Sequence, residues 1–139
     1  MNLGKSLLAG LVATLVLSAL MVLKAKMGVR PDLNVIKMLA HMFHAAPVVG
    51  WVAHFVVCVV AWGIGFALLY PWLPGGAPWL KGVTFAMGAW LLMMVVIMPL
   101  AGAGLFGLHL GIIAPVMTLV LHIIFGAVLG GVYGRPTTA

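Results

Sequence analysis

The sequence predicts an all-α membrane protein, a bundle of four transmembrane helices. Three observations carry that prediction. Hydrophobic residues make up 65% of the 139-residue chain and charged residues only 6%, whereas a soluble domain is about a quarter charged; too little polar surface is present to face water. Mean hydropathy is +1.31. The apolar residues fall into four runs, each long enough to cross a hydrocarbon core of roughly 30 Å at about 1.5 Å per helical residue. A helix satisfies its own backbone within lipid, and a chain this short cannot close a lipid-exposed barrel from such continuous apolar runs.

The elements follow in order. Met1 to Lys5 resembles the basic start of a signal peptide, but the apolar stretch from Ser6 to Leu23 is 18 residues long and no small-x-small site follows. It reads as a retained helix, span one, about Leu7 to Leu23, closed by Lys24 and Lys26. In the connection from Val29 to Ala46, Pro31 opens a short helix that lays Leu33, Ile36, Leu39, Ala40 and Phe43 on the membrane surface. Span two runs from about Pro47 to Tyr70. The loop from Pro71 to Trp79 is dense in turn formers. Span three begins after Lys81 and ends near Pro99. A glycine-rich, uncharged connection from Leu100 to Ile113 leads to span four, from Ala114 to Tyr133, ahead of Arg135 and Pro136.

Four crossings put both termini and the middle loop on one side of a multi-pass protein. Tyr70, Trp72, Trp79 and Tyr133 then form an aromatic belt there. Lys5, Lys81 and Arg135 lie on that side, and Lys24, Lys26, Arg30 and Lys37 on the other. The positive-inside count is nearly even between the two sides, and the termini are expected to be cytoplasmic. A formal net charge of +6 in sparse flanking positions suits anionic headgroups of the bilayer rather than nucleic acid.

The chain reads as one integral membrane domain, 1–139, built from two related units, about 1–70 and 80–139. A shift of 68 residues carries His54 onto His122 and also pairs Pro31 with Pro99, His41 with His109 and Ala46-Pro47-Val48 with Ala114-Pro115-Val116. Nine of the 33 positions from Pro31 to Gly63 match without a gap. Duplicated hairpins with an even number of crossings insert the same way round, which predicts a pseudo-twofold along the membrane normal.

Helices in lipid associate through small and polar residues. Each span has such a stripe at helical spacing: Gly10, Thr14, Ser18; Gly50, His54, Cys58; Gly82, Ala86, Ala89; and Thr118, His122, Gly126, Gly130. These are expected to be the inward faces.

An ionisable residue inside a membrane suggests function. His54 and His122 each lie seven residues into their helices, roughly 10 Å below the helix start. One reading makes them axial ligands of haem b, with Arg30 and Lys37 near the propionates. A second gives copper or zinc to a set drawn from His41, His54, His109, His122 and Cys58, with Met93, Met94 and Met98 suited to Cu(I). The plain alternative is that each imidazole is satisfied by a neighbouring carbonyl or hydroxyl. The lone acid, Asp32, removes chemistry that needs two carboxylates, and one cysteine, Cys58, forms no intrachain disulfide. No CxxC, HExxH, GxSxG or phosphate loop occurs, so catalysis is not expected.

Several short segments carry a family resemblance: Gly10-x-x-Ala13-Thr14, Pro31-Asp32-Leu33, His54, Gly88-Ala89-Trp90-Leu91, Pro99-Leu100-Ala101-Gly102 and His122-x-x-x-Gly126. The chain resembles an uncharacterised family of small four-helix bacterial inner-membrane proteins. That resemblance implies four transmembrane helices and a bacterial inner membrane, and it carries over no functional residue.

Three functions stand in order. The first is an accessory subunit or assembly factor of a larger membrane complex, a respiratory one among the candidates, or a self-oligomer. The second is a haem- or metal-binding redox protein using His54 and His122. The third is a small-solute transporter, with Thr14, Ser18, Thr84 and Thr118 as its few other polar groups.

Overall fold

A computed structural model describes residues 2–28 and 34–134 of the chain. These residues form helices and no strand. Four helices are long and apolar enough to cross a membrane: α1, Leu3–Lys26; α3, Pro47–Trp72; α4, Pro78–Leu100; and α5, Ile113–Tyr133, with mean hydropathies of 2.2–2.4. Between α1 and α3 lies the short α2, Val35–Met42.

Local chemistry sets the boundaries. Asn2 caps α1 by accepting from the Lys5 backbone N–H at 2.9 Å. Proline opens α3 and α4 at their first positions, Pro47 and Pro78, where no N–H is needed. The short helix expected after Pro31 starts later. Asn34 caps it, its side chain accepting from Lys37 N–H at 3.0 Å; Arg30, Pro31, Asp32 and Leu33, like Arg135 and Pro136, lie outside the described residues. Ile36 and Ala40 are buried. Gly50 lets α2 seat on α3, because a Cβ there would strike the Ile36 carbonyl oxygen.

Every predicted inward stripe turns inward. Gly10, Thr14, Ser18, Gly50, His54, Cys58, Gly82, Ala86, Ala89, Thr118, Gly126 and Gly130 are buried, and His122 is half-buried. The closest crossing joins α4 to α5, with Gly82 against the carbonyl oxygen of Gly126 and Gly130 against that of Pro78. Glycine is required there because backbone meets backbone. The α1 helix lies against α3 and α5; a Cβ on Gly10 would come within 2.9 Å of the Val59 carbonyl oxygen. Two hydroxyls on these faces donate within their own helices, Thr14 Oγ1 to Gly10 O at 2.6 Å and Thr118 Oγ1 to Ala114 O at 2.7 Å.

By contrast, α3 and α4 do not pack backbone to backbone. Near the loop that joins them they meet through rings, Trp62 and Phe66 against Phe85 at centroid distances of 5.7 and 5.4 Å. Phe66 also stacks edge-on with Tyr70 and Tyr133. The belt thus divides: Tyr70 and Tyr133 face each other at 5.0 Å, while Trp72 and Trp79 stay exposed. Toward the opposite end, a second core of Met94, Met98, Ala103 and Ala114 underlies the glycine-rich connection. That connection winds through Leu105–Leu110 with Phe106 and Gly107 in the left-handed region, φ 58° and 64°. Its backbone differs from the helical α2 segment with which the 68-residue shift aligns it.

Candidate functional site

A cavity of about 770 Å³ lies among the four spans, where α3 and α4 part. Its wall is mostly apolar. The α1 side contributes Leu17 and Met21, α3 contributes Trp51, Val57, Ala61 and Trp62, and α4 contributes Leu92, Met93 and Ile97. Two stretches of this wall are π-helical, Val56–Ala61 in α3 and Met93–Ile97 in α4. A π turn takes up an extra residue and is frequent at functional positions. Here each widened turn presents side chains to the cavity, Val57, Cys58 and Ala61 on one side and Met93 and Ile97 on the other.

At one end the lining becomes basic and polar, with Lys24, Lys26, Asn34 and Lys37. These residues come from the end of α1 and the start of α2, so the connection of span one to span two brings its charges to the cavity mouth. Deeper in stand His54, Cys58, Thr118 and His122.

The two membrane histidines are not equivalent. Both ring nitrogens of His54 are engaged, Nε2 with Ser18 Oγ at 3.2 Å and Nδ1 with Cys58 Sγ at 3.7 Å. The Trp51 ring also packs edge-on to it at 5.8 Å. His122 instead has one partner, Nδ1 on the Thr118 carbonyl oxygen at 2.7 Å. A carbonyl only accepts, so Nδ1 carries the proton and Nε2 of the neutral ring is left as an acceptor or ligand atom. Among the described residues Nε2 has no hydrogen-bond partner.

The remaining predicted site residues lie elsewhere. His41 lines a smaller cavity of about 370 Å³ between α2 and the glycine-rich connection, with Met38 and Gly102. Its ring lies 6.4 Å from that of His44. His109 is exposed and donates from Nδ1 to Gly102 O at 3.3 Å. The structure therefore brings His54, Cys58 and His122 to one cavity and leaves His41 and His109 outside it. Among the described residues no three His, Cys, Asp or Glu side chains gather in a metal-holding group. Arg30, expected near haem propionates, lies outside the described residues.

Two participants escape a search for ionisable groups. Trp90 Nε1 donates to both Pro115 O and Thr118 Oγ1 at 3.1 Å, tying α4 to the first turns of α5 beside His122. Its signal in the sequence is an indole within an apolar span, since a buried indole N–H needs an acceptor. Ser18 fixes His54, and its spacing from Gly10 and Thr14 marks the face but not the partner.

The chain belongs to DUF6789, a family of unknown function whose model matches residues 1–139. No curated protein and no solved structure matches the chain.

Proposed function

We propose that this protein is a non-catalytic membrane component that holds an elongated apolar or amphiphilic ligand between its spans, serving as an accessory component of a larger membrane assembly. The observation that carries the reading is the cavity between α3 and α4, about 770 Å³, within the usual range for ligand sites of about 300–1,000 Å³. Its lining suits an apolar body, and His122 Nε2 offers one acceptor to a hydroxyl on the ligand. Among the described residues no carboxylate lines it, and the chain's single acid, Asp32, could not supply a pair for acid–base chemistry. We place the protein in a bacterial inner membrane with its termini cytoplasmic.

Native mass spectrometry tests the holding role on protein released from its own membranes in mild detergent. The expected result is a discrete bound mass in the wild type that is lost in Ala61→Trp, which fills the cavity from an exposed wall position. Equal spectra for the two proteins would overturn it. Co-purification of larger subunits is the separate measurement for the accessory role; recovery of the chain alone or as a self-oligomer contradicts that part.

One observation favours a second reading, haem or metal held at His122. Uncommitted Nε2 with Nδ1–H fixed on a carbonyl is the arrangement that prepares an imidazole for ligation. This reading now rests on His122 rather than on the pair, because His54 must leave Ser18 or Cys58 to bind. It predicts a Soret band or bound metal that His122→Ala abolishes and His54→Ala retains.

A further inference from the structure

We infer that the cavity takes a single-chain anionic amphiphile from the bilayer, an acyl chain with one negatively charged head, the head meeting Lys26 and Lys37 and the chain running inward toward Ala61. This rests on the ligand-holding reading above and adds to it the chemical class of the ligand.

Charge carries the first step. The polar end of the cavity has lysines and no acid among the described residues. Lys26 closes α1 and Lys37 stands in the first turn of α2, both exposed and both reaching the same opening. An ammonium near a membrane surface contributes about 1 kcal/mol to holding an anionic lipid group. A neutral or cationic head gains nothing from this arrangement.

Length and volume carry the second. From Pro47, at the basic end, to Ala61 the cavity follows 14 residues of α3, roughly 20 Å of helical rise. One leaflet of a hydrocarbon core is roughly 15 Å deep, so an acyl chain fits lengthwise. A cavity of about 770 Å³ lies within the range of about 300–1,000 Å³ that holds one small ligand, which favours a single chain with its head over a two-chain lipid. The gap between α3 and α4 supplies the sideways route by which such a molecule leaves the bilayer.

The test uses the full chain in phosphatidylcholine nanodiscs and reads quenching of tryptophan fluorescence by bromine. Trp51 and Trp62 line the cavity, and Trp51→Phe/Trp62→Phe defines the signal from elsewhere. The probes are stearic acid brominated at mid-chain, its methyl ester, and a brominated two-chain phosphatidylglycerol. Saturable quenching by the acid, absent in Ala61→Phe, which fills the same wall position without adding an indole, is the expected result. Neither the ester nor the phosphatidylglycerol should match it. Lys26→Gln and Lys37→Gln should each weaken the acid roughly fivefold. Saturable binding of the ester as tight as the acid would overturn the anionic class and leave the ligand-holding reading standing. Equal binding of the phosphatidylglycerol would overturn the single-chain assignment. No saturable quenching by any of the three would sink both.

Discussion

Replacing Gly82 with alanine should loosen the α4–α5 crossing, and the geometry sets the size of the effect. The added Cβ would strike the Gly126 carbonyl oxygen and come within 2.8 Å of the Gly126 carbonyl carbon and the Gly130 nitrogen. All three are backbone atoms, so no rotamer change relieves the contact. Ordinary contact begins at 3.4 Å, so the helices must separate by about 0.6 Å at the least, and a gap of that order forfeits roughly a quarter to a half of each van der Waals well. Such contacts are what hold helices together in lipid. A loss of about 1–3 kcal/mol follows, the usual cost of overpacking. Unfolding in mixed micelles, with the sodium dodecyl sulfate fraction raised stepwise, measures it. Gly88→Ala is the control, because nothing lies within 4 Å of its Cβ position. Gly126→Ala meets the same crossing from the other side, so the double variant should cost less than the two single changes together. If Gly82→Ala unfolded at the same point as Gly88→Ala, the close glycine crossing would be wrong.

Other consequences concern the groups around the cavity. Trp90→Phe removes both indole hydrogen bonds to α5 and should cost about 0.6–1.7 kcal/mol in the same unfolding assay; an unchanged midpoint contradicts the tie between α4 and α5. Ser18→Ala takes away the Nε2 partner of His54 and should cost a similar amount, with Ser18→Thr recovering part of it. In Gly50→Ala the new Cβ meets the Ile36 carbonyl oxygen, so α2 should lift from α3. Amide exchange over Val35–Met42 should then rise about tenfold, equivalent to about 1.4 kcal/mol of local opening, while α5 keeps its protection.

Much of this architecture is legible in the residues themselves. Long apolar runs broken by Lys24, Pro71 to Pro78 and the glycine-rich stretch after Pro99 mark the spans, because length and hydropathy alone decide what crosses a bilayer. The stripes of Gly10, Thr14 and Ser18, or of Thr118, Gly126 and Gly130, mark the inward faces through their three- and four-residue spacing. Other features depend on neighbours distant in sequence. Val56–Ala61 and Met93–Ile97 have no composition that separates a π turn from an α turn. His54 and His122 look alike along the chain, each seven residues past a proline, yet Ser18 of another helix commits the first and only its own Thr118 carbonyl holds the second. The later start of α2 is also legible, since Asn34, three residues before Lys37, is a side-chain cap and Pro31 offers none.

The claim on which the functional account turns is that His122, and not His54, is the open polar group deep in the cavity. Nitrogen-15 NMR of histidine-labelled protein in nanodiscs tests it, with His54→Gln and His122→Gln assigning the two rings. The account predicts a neutral His122 protonated at Nδ1, whose Nε2 resonance moves when a hydroxyl-bearing amphiphile is added while His54 stays in place. A His122 ring protonated at Nε2, or a response confined to His54, would contradict it.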